Sequence, residues 1–221
     1  MKERVVVIAA HPDDDILGCG GALALHADAG DEVLVIFLAD GVSSREAQPE
    51  AKNERLENAQ KALGEIGVTS LVGLNFPDNQ LDTIPILTLA KAVAEHVEEW
   101  RPTTIYTHSA ADLNVDHRIA LEIALIASRP EPNSSVTRVL SFEVLSSTGW
   151  GFPQRDFSPR YFVNIEASLS RKMSALRHYD CEMRAWPHAR SYEAVEALAR
   201  TRGASIGVPA AEAFDVIRWI S

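Results

Sequence analysis

The sequence predicts an α/β fold built on a mainly parallel sheet, and three observations carry that expectation. Apolar runs alternate with stretches of helical periodicity along most of the chain, the pattern of repeated βαβ units. The first two runs, Val5–Ala10 and Glu32–Ala39, have apolar centres of strand length, as buried strands do. Clusters of His and Asp follow directly after two of the runs, at the strand ends where open α/β sheets place their sites.

The elements follow in order. Val5–Ala10 is expected to be a buried strand, and Ile16–Ala29 a helix ended by Gly30, a residue suited to left-handed helix ends. Glu32–Ala39 is the second strand. The loop at its end carries Asp40-Gly41 and Ser43-Ser44. A helix from about Glu46 to Ile66 precedes a short third strand, Leu71–Leu74. Thr83–Trp100 is a helix stopped before Pro102. Thr103–Thr107 is a strand, Val115–Ala127 a helix and Arg138–Phe142 a fifth strand. The character then changes: Ser146–Pro159 is rich in Ser, Gly, Pro and aromatic residues and reads as a long loop, a flap over the site. Tyr161–Ile165 reads as another strand, and helices follow around Ser168–Arg184 and Ser191–Arg202. No repeat, low-complexity stretch or long linker divides the 221 residues, so a single domain is expected.

Composition narrows the function. The chain is 46% hydrophobic and 24% charged, ordinary values for a globular protein. Its net charge of −10 argues against a general nucleic-acid binder or a basic membrane-surface helix. It does not exclude an anionic small substrate held by a few arginines. Two cysteines, Cys19 and Cys181, fit a reducing compartment. Neither a signal peptide nor a run of transmembrane length is evident, which points to a cytoplasmic protein.

The first cluster is Ala10-His11-Pro12-Asp13-Asp14-Asp15. Three adjacent carboxylates repel one another unless a cation or strong donors neutralise them. A divalent metal is the simplest neutraliser, and His and Asp are both ligands for zinc-type ions. The competing reading is a turn whose Asp residues cap the next helix. Capping uses one or two acids, not three with a His. A metal held by His11 and one Asp is under-liganded, because catalytic zinc takes three protein ligands and keeps an open position. The second cluster, His108-Ser-Ala-Ala-Asp112-Leu-Asn114-Val-Asp116-His117, supplies the missing donors from a neighbouring strand end. Alone it reads equally as a helix start capped by Asp112 or Asn114.

Together, His11-Pro12-Asp13-Asp14 and Asp116-His117 resemble the two motifs of the LmbE-like, or PIG-L, zinc-dependent de-N-acetylases. The likeness covers nearly the whole chain, including Pro187-His188-Ala189-Arg190-Ser191, Arg202-Gly203 and Ala211-Glu212-Ala213-Phe214. It implies a Rossmann-like three-layer sandwich with a mainly parallel central sheet. It also implies hydrolysis of the acetamide of N-acetylglucosamine derivatives. The matched positions make His11, Asp14 and His117 the metal ligands and Asp13 the general base. Asp15 stands where the family usually has Glu, an acid expected to begin the helix and support groups behind the ligands. Gly18, Gly20 and Gly21 match small residues that let this helix pack closely near the metal loop, with Cys19 packed rather than reactive. Asn114 stands where many members have His. An amide can donate to an oxyanion but cannot shuttle a proton near neutral pH. Proton transfer then falls to His108, or to Asp13 for both steps. The second option is favoured, since Asp13 gains the proton when water attacks. Asp112 and Asp116 are expected to orient imidazoles. Arg55 and Asp78 match substrate-binding positions. They read equally as a solvated helix charge and a turn-forming Asp. Arg190 and Arg202 could contact a phosphate on a nucleotide or lipid carrier, or equally pair with Glu residues on their own helices. Trp150 and Phe152 in the flap could stack on a sugar or anchor the loop.

The expected protein is therefore a metal-dependent hydrolase removing the N-acetyl group from an N-acetylglucosamine-type sugar, its glycoside or its carrier-linked form. Zn2+ is the expected cofactor, with Fe2+ suited to the same ligands under reducing conditions. The partner is a small amino-sugar substrate, with no nucleic acid and no membrane span; a homo-oligomer is compatible with this reading. Two alternatives stand beside it. One is the same metal site cleaving another amide, such as a thiol-sugar conjugate. The other is a Rossmann-like module binding a nucleotide sugar without turnover. That module lacks the glycine-rich turn after its first strand, because His11-Pro12-Asp13-Asp14 takes the place.

Overall fold

The computed structural model describes residues 2–43, 50–150 and 156–221. In chain order the elements are β1 (Arg4–Ala9), α1 (Asp14–Ala29), β2 (Glu32–Ala39), α2 (Glu50–Glu65), β3 (Ser70–Phe76), α3 (Ile86–Trp100), β4 (Thr104–His108), α4 (Val115–Ala127), β5 (Arg138–Phe142), β6 (Tyr161–Asn164), α5 (Leu169–Leu176), α6 (Tyr192–Ala204) and β7 (Ala211–Trp219). Among the described residues they form one seven-stranded sheet, ordered β3-β2-β1-β4-β5-β7-β6. The strands from β3 to β5 in that order are parallel to their neighbours, and β7 runs antiparallel to both β5 and β6. The order reverses between β1 and β4, so the loops after these two strands open into a common crevice.

Side-chain alternation explains the three layers. Val5, Val7 and Ala9 of β1 join a core with residues of α1, α2 and α5 on one face. Val6, Ile8 and Ala10 join a second core with residues of α3 and α4 on the other. Both faces being covered, β1 and β2 read as nearly continuous apolar runs.

Local chemistry sets the boundaries. Gly30 closes α1 in the left-handed conformation with φ 78°. Arg101 closes α3 in the same region, just before Pro102. Ser191 caps α6, its hydroxyl accepting the Ala194 N–H at 3.1 Å.

Four expectations change. The helix expected from Thr83 begins at Ile86, after a 3-10 turn over Leu81–Thr83, because Pro85 suits only the start of a helix. The helix expected to reach Arg184 is α5, which gives way at Leu176 to a 3-10 turn over Arg177–Tyr179. Residues 46–49 of the second expected helix lie outside the described residues. The strand β7 is the largest miss. Glu212 interrupts its apolar run and is accommodated there by Lys172, 2.6 Å away, and by the N–H groups of Gly21 and Ala22. Finally, the start of the expected flap is tied down: Thr148 forms an isolated bridge with Asp112. Residues 151–155, Phe152 among them, lie outside the described residues.

Candidate metal centre and active site

The loop after β1 and the loop between β4 and α4 meet at the sheet crevice. Asp13, the residue before α1, has φ 132°, a conformation that L side chains rarely adopt. Its side chain makes no helix-capping bond. It instead receives Nη2 of Arg55 and Nη1 of Arg190, both on Oδ2 at 3.1 Å. Asp13 Oδ1 is buried with no hydrogen-bond partner.

Asp14 is the hub. Its Oδ2 accepts the His11 backbone N–H at 2.9 Å, and it lies 3.2 Å from His11 Nδ1 and 3.3 Å from His117 Nε2. Each imidazole is braced on its other nitrogen. His11 Nε2 faces Asp78 Oδ1 at 2.9 Å and Asp116 Oδ2 at 3.2 Å. His117 Nδ1 faces Asp112 Oδ2 at 3.0 Å. The braces are themselves fixed. Asp116 accepts the N–H groups of Asn79 at 2.7 Å and Leu81 at 3.1 Å. Asp112 accepts from Thr148 Oγ1 at 2.7 Å, Ser147 Oγ at 3.0 Å and the Asn114 N–H at 2.9 Å. Metal-binding histidines are held by carboxylates in this way.

His11, Asp14 and His117 offer one ligand atom each, all within 4.8 Å of one another. His117 Nε2 and Asp14 Oδ1 are buried without hydrogen-bond partners. Two imidazoles and a carboxylate with unsatisfied atoms suit a zinc-type ion with an open position. Two other groupings share these residues, His108–Asp112–His117 and His11–Asp78–Asp116. Both depend on atoms already used as braces or acceptors.

Charge crowding shifts the protonation of His11, Asp14, His117 and Asp112. Burial opposes charge on His11, but hydrogen bonds to Asp116, Asp14 and Asp78 hold its pKa well above the usual histidine value. Burial opposes His117 likewise, yet the Asp14 charge and the bond to Asp112 bring it to about 9. Burial raises Asp14, and the charges of His117 and His108 outweigh it, leaving that carboxyl well below the ordinary range. Asp112 is lowered, its bond to His117 overcoming burial.

The remaining expected site residues have these places. His108 is fully buried, stacked on His117 with ring centroids 4.0 Å apart, and its Nε2 accepts the Ala10 N–H at 2.9 Å. Burial and the neighbouring His117 bring its pKa to about 3, so it stays neutral. That contact joins the ends of β1 and β4. Asn114 caps α4, its Oδ1 accepting the Asp116 N–H at 2.8 Å and its Nδ2 donating to Asn79 Oδ1 at 3.3 Å. A helix start needs that acceptor, so the oxygen is committed to the fold. Asp78, expected among the substrate-binding residues, is buried with Oδ1 2.9 Å from His11 Nε2. Asp15 is buried, and burial together with the Asp13 and Asp14 charges raises it to about 7. Arg55 spans Asp13 and Glu182, 3.0 Å from the latter, with its guanidinium over the Tyr179 ring at 5.3 Å. Arg190 also donates to Ser146 Oγ at 3.1 Å. Arg202 pairs with Glu143 at 2.7 Å, a residue outside its own helix. Trp150 is 66% exposed.

Sequence reasoning missed Glu182, Asn79, Ser147 and Thr148. All are common polar residues away from the two motifs. The serine-threonine run directly after β5 is the only local signal for any of them.

The comparisons add identity to this geometry. The chain is 26% identical over 184 residues to the "Uncharacterized deacetylase YaiS" of Escherichia coli, covering 80% of this chain and 91% of that one. It is 24% identical over 192 residues to the diacetylchitobiose deacetylase of Thermococcus kodakarensis, covering 81% of this chain and 70% of that protein. The 4-carboxy-2-hydroxymuconate hydratase GalB of Pseudomonas putida superposes with a TM-score of 0.80 at 22% identity, over all of this chain and 98% of that one. That likeness concerns the fold alone. Residues 6–128, more than half of the chain, match the family described as "PIG-L: GlcNAc-PI de-N-acetylase", and the chain belongs to that family.

Proposed function

We propose that the protein is a metal-dependent de-N-acetylase acting on an N-acetylglucosamine-type sugar. The carrying observation is the convergence of His11, Asp14 and His117 beside the strained Asp13. The names of its relatives favour an acetylated amino sugar over other amides. His11, Asp14 and His117 would hold the ion, and Zn2+ and Fe2+ both suit the set. A bound divalent ion supplies polarisation of the acetyl carbonyl and acidification of water.

The chain's own residues do the rest. Asp13 Oδ2 is fixed by Arg55 and Arg190, which leaves Oδ1 to take a proton from the attacking water as the C–O bond forms. His108 is locked as an acceptor and Asn114 caps a helix, so Asp13 is also the group placed to return that proton to nitrogen as the C–N bond breaks. Acetate and the free amine leave. Asp112 braces His117, and Asp116 with Asp78 braces His11. Arg55 and Arg190 serve first to orient Asp13.

The test is acetate release from N-acetylglucosamine, diacetylchitobiose and simple N-acetylglucosamine glycosides. Asp13→Asn is expected to lose at least ~100-fold in kcat, the scale of a positioned acid–base group. It should keep its metal by elemental analysis. Loss of the metal in that variant would exchange the roles of base and ligand. A fully metallated protein that releases no acetate from any of these amides overturns the reading.

A further inference from the structure

His11 Nε2 faces two carboxylate oxygens at once, Asp78 Oδ1 at 2.9 Å and Asp116 Oδ2 at 3.2 Å. Both acids are buried, Asp78 at 4% and Asp116 at 0% exposure. One imidazole nitrogen carries at most one proton, so it cannot satisfy both oxygens fully. Two carboxylates crowded on one atom repel each other unless other donors reach them.

Asn79 supplies a donor to each of those same oxygens. Its backbone N–H donates to Asp116 Oδ2 at 2.7 Å, and its side-chain Nδ2 donates to Asp78 Oδ1 at 3.1 Å. The amide oxygen is engaged as well, accepting from Asn114 Nδ2 at 3.3 Å. That fixes which way the amide points, because reversing it would turn an oxygen toward the Asp78 carboxylate. Asn114 in turn caps α4 by accepting the Asp116 N–H. Asn79 thus links both acids behind His11 to the helix start that carries one of them.

The backbone makes this double donation possible. Asn79 has φ 54°, in the left-handed region that Asn enters at less cost than most residues. The turn is pinned on either side of it. The Asp78 N–H donates to Ser43 Oγ at 2.8 Å, and the Leu81 N–H donates to Asp116 Oδ1 at 3.1 Å. Asn79 itself is exposed, while the oxygens it holds belong to buried acids. Turning the chain would be served equally by Gly, which takes positive φ without strain. Asp would serve nearly as well, since it shares Asn's tolerance of that region. Neither carries the side-chain donor to Asp78.

We propose that Asn79 is a positioning residue: by donating to Asp78 Oδ1 and Asp116 Oδ2 together, it holds both carboxylates against His11 Nε2 and so aims Nδ1 of that ring at the metal. Asn79 has this role only if His11 is a metal ligand, as proposed above. The experiment titrates Zn2+ into the full-length native chain, Asn79→Gly and Asn79→Asp, in competition with a chromogenic chelator at fixed pH. Asn79→Gly keeps the turn and the N–H on Asp116 but loses the donor to Asp78. Asn79→Asp sets a third carboxylate against Asp78 in place of that donor. Zn2+ affinity is expected to fall about tenfold in Asn79→Gly and toward 100-fold in Asn79→Asp, the range for groups that orient metal-binding histidines. A turn-forming role alone leaves both variants at the native affinity, and that result overturns the proposal. A loss confined to Asn79→Asp also overturns it, since the donor would then be dispensable. If Asn79→Asp fails to fold by circular dichroism, Asn79→Gly decides alone. A native chain that takes up no Zn2+ overturns the metal site and the role of Asn79 together. Zn2+ uptake without acetate release ends the de-N-acetylase reading and leaves the two variants' affinities to decide on Asn79.

Discussion

At the scale of single residues, the site is a set of braced imidazoles. His117 illustrates the energetics. Its pKa is raised to about 9 from an ordinary 6.5, so protonation stabilises the metal-free fold fully below pH 6.5 and that contribution fades as pH rises through 9. In the proposed site a metal needs the unprotonated ring, so proton and ion would compete over the same window. Metal affinity is expected to climb steadily from pH 6.5 to 8.5, measured by competition with a chromogenic chelator. A flat profile would separate His117 from the ion. Asp112→Asn removes the carboxylate behind that ring and should weaken metal binding by about 10- to 100-fold in the same assay. An unchanged affinity would reduce Asp112 to a partner of Ser147 and Thr148. Much of this was legible in the sequence, because two short motifs hold His11, Asp13, Asp14, Asp112, Asp116 and His117. The cap at Asn114 was legible as one of two candidates, and the contact of Asp78 with His11 was not legible. A helix cap and an imidazole brace use the same side-chain chemistry as substrate recognition, and only the backbone around them decides which is made.

At the scale of elements, the parallel strands and their helices were readable from apolar runs, and β7 was not. Its buried Glu212 breaks the pattern, and its partner Lys172 lies on α5 in a different part of the sequence. The glycines of α1 were readable as packing devices. A Cβ on Gly18 would lie 2.2 Å from Cδ2 of Phe142, and one on Gly21 would lie 2.8 Å from Ile165 Cγ2. Phe142 is itself against the His108 ring, with centroids 4.8 Å apart. Gly18→Ala is expected to cost about 1–3 kcal/mol through overpacking. Urea denaturation would read that as a lower midpoint, and the displaced ring would press on the imidazole stack. A midpoint at or above that of the native chain would show that Phe142 has room to retreat.

At the scale of the whole molecule, the sheet order places the two halves of the proposed ligand set on either side of its reversal, one on the β1 loop and one on the β4 loop. Residues about 100 positions apart thus meet without a long excursion of the chain. Among the described residues, no helix is long and apolar enough to cross a membrane. Across the other part of the sheet, the buried Lys172–Glu212 pair joins α5 to β7, with Lys172 Nζ also donating to the Leu17 carbonyl at 2.9 Å. Lys172→Met leaves Glu212 without its charge partner in the interior, an effect of about 3–5 kcal/mol. Lys172→Met with Glu212→Gln should recover part of it, measured by the same denaturation. A single variant as stable as the native chain would mean that water reaches Glu212.

Glu212 also accepts the backbone N–H groups of Gly21 and Ala22 at 2.9 and 2.8 Å. The helix that starts with Asp14 is thus completed by a side chain 191 positions after Gly21. Until the strand carrying Glu212 is in place, these two amides lack that carboxylate. The nascent first βαβ unit therefore has a built-in dependence on the last strand to arrive. Ribosome-bound fragments that stop short of residue 211 would be the natural clients of a chaperone.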